Sequence, residues 1–166
     1  QGLNVLSRMG VAGYVNPVRV VVEMPQGHSA ASAAALRGLR ALSDSLRADP
    51  RVGEVRSIVD LEPGTSILGY SMLYSDLPAA RARYGGFLDG YLSADQQVTL
   101  LDVILADTTS LTSAMDVVHR ARSLGAARLR HLEGARVLVG GYAAASVDFQ
   151  RDLLHLAVRP DLLQCD

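Results

Sequence analysis

The sequence predicts an α+β fold: a ferredoxin-like split βαβ sandwich (β-α-β-β-α-β) with a helical insertion between its halves and extra helical segments at the ends. Three observations predict it. Four short runs rich in Val, Ile and Leu read as strands. Two stretches with apolar residues three and four apart read as crossover helices. These alternate as β-α-β twice, and a doubly wound sheet would want further strands. The 166 residues suit one domain with an aliphatic core, since Trp is absent and Phe87 and Phe149 are the two phenylalanines.

At the front, Leu3, Val5, Leu6 and Met9 suit a short helix ended by Gly10 and Gly13. Pro17 opens the first strand, Val18 to Met24, whose β-branched density places it inside a sheet; Pro25 and Gly27 end it. Ser29 or Ser32 caps the next helix by accepting from free N–H groups. Leu36, Leu39, Leu42 and Leu46 form its apolar stripe, Arg37, Arg40, Asp44 and Arg47 face water, and Pro50 stops it. Val52, Val55 and Ile58 mark a second strand over 52–59, and Glu62-Pro63-Gly64-Thr65 is a turn.

An insertion spans about 67–94, with a helix opening at Leu77-Pro78 and bending near Gly85-Gly86. Gln97 to Leu105 is the third strand. Thr109 or Ser110 caps a helix with Leu111, Ala114, Met115, Val118 and Ala121 inward, and Gly125 terminates it. Ala135 to Gly141 is the last strand. Amphipathic residues 147–154 then read as the opening of a longer helix.

Composition narrows the function. A formal charge of -1 gives no global field for a nucleic acid, and all 16 basic residues are Arg. Cys165 is the single cysteine, so no internal disulfide or cysteine metal cluster forms. No apolar run approaches the ~18 residues of a membrane span, and no signal-peptide pattern is present. The Gly140-Gly141 pair lacks both the phosphate-loop and the dinucleotide patterns. His28, His119, His131 and His155 form no ligand cluster, and no serine sits in a nucleophile elbow. The chain is therefore expected to be no enzyme and to need no cofactor or metal. Asp102, interrupting an apolar strand, is placed on a solvent or interface face.

Two regions remain as candidate contact surfaces. Tyr70, Met72, Tyr74, Tyr84, Phe87 and Tyr91 gather most of the large amphipathic area; they either pack the insertion on the sheet or line a path for a greasy molecule. Arg120, Arg122, Arg128 and Arg130, with His119 and His131, surround a helix end. There they either complement its carbonyls or meet an anionic lipid or protein. No aromatic platform interleaves with them, as single-stranded nucleic acid would need.

Three motifs carry a family resemblance. Gly2 to Leu6 followed by Asn16-Pro17-Val18-Arg19-Val20 resembles the stretch after a transmembrane helix in the large mycobacterial membrane transporters, the MmpL family of the RND superfamily. Val137-Leu138-Val139-Gly140-Gly141-Tyr142-Ala143-Ala144 with Asp148 resembles that family's VGG-x-x-A stretch and downstream Asp before the next membrane helix. Asp49-Pro50-Arg51-Val52 resembles its link into the second strand.

The resemblance implies that residues 1–166 are one porter subdomain, more like the second extracytoplasmic loop than the first. It implies a proton-driven exporter of lipids or other hydrophobic molecules in the inner membrane, with this domain on the periplasmic side. The sister porter domain, the transmembrane helices, the lipid and accessory periplasmic proteins would be its partners. Gly140, Gly141 and Asp148 would be structural exit residues, and nothing catalytic carries over. The rival expectation is a soluble ferredoxin-like ligand-binding or regulatory module.

Overall fold

A run of valines flanked by Pro17 and Pro25 makes the centre of the sheet. In the computed structural model, which describes residues 16–106, 111–126 and 130–157, Val18–Glu23 is β1. It lies between β3 (Val98–Leu105) and β4 (Arg136–Gly140), while β2 (Val52–Arg56) flanks β3 at the far edge. All three pairings are antiparallel, in the order β2-β3-β1-β4. Each βαβ unit thus has its two strands separated by one strand of the other unit. That interleaving, on an open sheet with two edges, is consistent with a split βαβ sandwich.

Strand alternation sorts the sheet into two faces. Val18, Val20 and Val22 are buried and pair with Val103, Leu101 and Thr99. On this side pack α1 (Ala33–Arg47) and α4 (Leu111–Ala126). The stripe of α1 is as expected: Leu36, Leu39, Leu42 and Leu46 are wholly buried, and Ser32 caps the helix by accepting from the Ala35 N–H at 3.2 Å. Four such leucines supply roughly 1.5–3 kcal/mol each of burial.

The opposite face carries Arg19, Val21 and Glu23 beside Asp102, Leu100 and Val98, with Leu138 and Arg136 on the other flank. Opposite charges meet across strands there: Arg19 Nε lies 3.5 Å from Asp102 Oδ1, and Arg136 Nη1 lies 3.2 Å from Glu23 Oε2.

The second strand ends at Arg56, three residues short of the expected Val59. Ile58 and Val59 are still buried, but Ser57 begins a turn. The Asp60 carboxylate holds that turn by accepting from Ser43 Oγ at 2.9 Å, Ser57 Oγ at 2.5 Å and Arg47 Nη2 at 2.9 Å. The turn at Glu62–Thr65 follows, with Gly64 at φ 81°.

Two helices fill the stretch before β3. α2 (Ile67–Ser75) is capped by Ser66, and α3 (Leu77–Tyr91) by Asp76 with Pro78 in its first turn. α3 bends at Tyr84 (φ -125°, ψ 20°), next to Gly85-Gly86 where the bend was expected.

Two expectations for α4 fail. Leu111 is exposed, and Gly125 lies inside the helix instead of ending it. A Cβ on Gly125 would stand 2.7 Å from Val137 Cγ1, so this glycine lets α4 approach β4 closely. The expected front helix, the Thr109/Ser110 cap, Arg128 and Cys165 lie outside the described residues.

After β4 the chain turns through Gly141 into α5 (Tyr142–Ala157). Gly141 has φ 102°, and its Cα faces the Pro17 carbonyl so closely that a Cβ would stand 2.7 Å from the oxygen. The entry to β1 and the exit from β4 are therefore side by side.

Candidate functional site

The aromatic side chains of the two middle helices divide into two groups. Tyr70 and Tyr74 lie one turn apart on the inner side of α2, stacked at 6.1 Å between centroids. Tyr70 is fully buried; its hydroxyl accepts from Glu62 N–H at 2.8 Å and donates to Glu62 C=O at 3.0 Å. The Arg40 guanidinium stands 5.6 Å over its ring. The Tyr74 hydroxyl donates to Ile58 C=O at 2.5 Å, and burial pushes this phenol well above its ordinary range. Both rings tie α2 to the turn after β2. On the other side of α2, Leu68 and Met72 are 70% and 69% exposed.

The second group sits around and beyond the bend of α3. Tyr84 donates to Glu62 Oε1, and that bond raises its phenol. Phe87 and Tyr91 stack at 4.3 Å with 13° between planes. Tyr91 donates to Asp102 Oδ2 at 2.8 Å; burial first, and then this carboxylate, push the phenol up to about 12. Asp102 lies, as expected, on the outer sheet face. Its Oδ1 is buried without a hydrogen bond and faces Arg19 Nε. Between the end of α3 and the sheet runs a cleft of about 390 Å³, floored by Val21, Val98 and Leu100, walled by Tyr91 and Leu92, with Arg19 at its rim. Asp89, Ser93 and Thr99 also line it, and the cleft is open to solvent.

Two of the basic residues, Arg120 and Arg122, meet acids of the fold. Arg122 grips Asp148 through both nitrogens, at 2.8 Å and 2.9 Å, and holds that carboxyl below its usual range. Arg120 donates to Ser45 C=O at 3.4 Å and lies 3.7 Å from Asp49. Asp49 is buried and held at about 2, chiefly by its hydrogen bonds to Arg51, which also reaches Asp116 at 2.8 Å. Arg130 is exposed at the turn before β4. Arg120 and Arg122 thus each meet an acid on another part of the chain, too far away in sequence to be seen beside them. His28 is exposed in the turn after β1.

Arg19 and the valine–leucine floor of the cleft were not singled out from the sequence. The signal was present, since alternation from Val18 puts Arg19, Val21 and Glu23 on one side. Gly140, Gly141 and Asp148 fall where the chain leaves the sheet, the first two at the turn and the third in the ion pair that holds α5. Among the described residues no three His, Cys, Asp or Glu side chains gather as a metal site. No described helix is long and apolar enough to cross a membrane.

The family model described as the MMPL family covers residues 6–157. No curated protein matches the chain.

Proposed function

The chain belongs to the MMPL family, whose members are transporters and not catalysts, and from that premise we propose that it is the second extracytoplasmic porter domain of a proton-driven, RND-type exporter. The cargo is a lipid or another hydrophobic molecule destined for the cell envelope. The intact protein resides in the inner membrane, with this domain on the periplasmic side. The observation that carries the reading is the family match across residues 6–157. The side-by-side entry at Pro17 and exit at Gly141 support it, because a domain between two membrane helices must return the chain to where it left.

The domain moves nothing alone. Proton-coupling acids belong to the membrane helices, and the sister porter domain and accessory periplasmic proteins complete the path. The contact with cargo is the cleft beneath Tyr91, together with Phe87, Tyr84 and the exposed Met72. Tyr70 and Tyr74 act at one remove, by holding α2 to the turn after β2. Arg19 at the cleft rim is the residue to meet a polar headgroup.

A photo-crosslinking amino acid at Tyr91 in the full-length protein tests the reading, with the same group at exposed Arg37 as control. Lipid adducts at Tyr91 and not at Arg37 are the expected result. Adducts with protein neighbours alone would remove the cargo contact. Flanking sequence tests the frame: apolar runs of about 20 residues should stand on both sides of the domain, and polar flanks would favour the ligand-binding module instead.

A further inference from the structure

α5 leaves the sheet across Gly141, at a φ of 102° that glycine tolerates and other residues resist. Its first two turns place Ala143, Ala144 and Val147 in the core. These side chains are small and hold the start of the helix by apolar contact, which is not directional. Beyond them the helix stands clear: Phe149, Leu153 and Leu154 are 65%, 48% and 67% exposed. One contact at the last buried turn is directional. Arg122 of α4 meets Asp148 of α5 fork to fork, at 2.8 Å and 2.9 Å. A bidentate pair fixes orientation as well as distance. α4 is itself firmly seated, by Val117, Val118 and Ala121 in the core and by Arg120 toward Asp49.

We infer that the Arg122–Asp148 pair is a positioning strap that makes α5 a rigid extension of the sheet and α4, so that a displacement of either is carried to the other. The inference goes beyond the porter-domain reading and stands without it. A half-exposed ion pair adds little to stability. Breaking it should therefore loosen the direction of α5 and leave the body folded.

The test measures distances in the full-length protein in a background free of other cysteines, Cys165→Ser included. Spin labels at Arg37→Cys on α1 and Gln150→Cys on α5 report the helix direction. Labels at Arg37→Cys and Leu138→Cys on β4 report the body. The expected result is one narrow α1–α5 distance, lost in Asp148→Ala and in the closer mimic Asp148→Asn, and recovered in the exchanged pair Arg122→Asp/Asp148→Arg. The α1–β4 distance should stay narrow throughout. An α1–α5 distance unchanged by Asp148→Ala would overturn the strap. So would an exchanged pair as disordered as Asp148→Ala. Broadening of the α1–β4 distance in both single variants would overturn it too, by making the pair a fold element.

Discussion

Gly141 should be the least replaceable residue of the exit, and Gly140 beside it among the most replaceable. At φ 102° any L side chain is strained, for roughly 1–3 kcal/mol. A Cβ there would also stand 2.7 Å from the Pro17 carbonyl oxygen. That oxygen is backbone leading straight into β1, whose Val18 is paired with Val103, so it cannot swing aside as a side-chain tip would. Relieving such an overlap costs about 1–3 kcal/mol. Together Gly141→Ala should lose about 4 kcal/mol, a large share of the ~5–15 kcal/mol that holds a domain folded. For this size of chain the melting midpoint should fall by roughly 8–16 °C. A Cβ on Gly140 meets nothing within 4 Å, and its φ is not in the positive region. Gly140→Ala should stay within about 0.5 kcal/mol of the parent. Thermal and urea unfolding of both variants, followed by circular dichroism, decides. Equal midpoints for the two, or a Gly141→Ala protein as stable as its parent, would refute the reasoning.

Three further outcomes follow from the same geometry. Gly125→Ala should cost about 1–3 kcal/mol because its new methyl meets Val137; Val137→Ala in the same chain should recover part of that, and strict additivity across the four melts would contradict the contact. Asp49 is held at about 2 against an ordinary 3.8, so the stability it lends is present above pH 3.8 and is lost as pH falls toward 2. Urea midpoints of Asp49→Asn should be flatter across that window than the parent's. Tyr91→Phe removes the donor to Asp102 and should cost about 1–2 kcal/mol. Because the Tyr91 phenol is raised from 10.0 to about 12, its contribution is whole below pH 10.0 and fades as pH climbs through 12; the variant should lack that part of the alkaline loss, read from unfolding midpoints and ultraviolet titration.

What the sequence disclosed was what short-range periodicity can carry. The leucines of α1 recur at helical spacing, so their burial was plain, and the valines of β1 announced an interior strand. Periodicity does not reach what a distant partner decides. Whether Tyr70 and Tyr74 line a path or prop a turn depends on the Glu62 and Ile58 backbones, which periodicity does not locate. Arg120 and Arg122 looked like a patch because they sit two apart, yet they reach Asp49 and Asp148 on different elements. Gly125 reads as a helix stop by residue type, and only the position of Val137 reveals it as a point of close approach. The cleft was hidden for a similar reason: its floor is made by β1 and β3, and its wall by the far end of α3.

The contact between Gly141 and the Pro17 carbonyl has an architectural meaning. A module whose two necks touch can be set into a host chain as a graft, without prying the host apart. Such a graft would carry α5 with it, since Ala143, Ala144 and Val147 lie in the core. The whole body could then be exchanged for a relative's as one cassette.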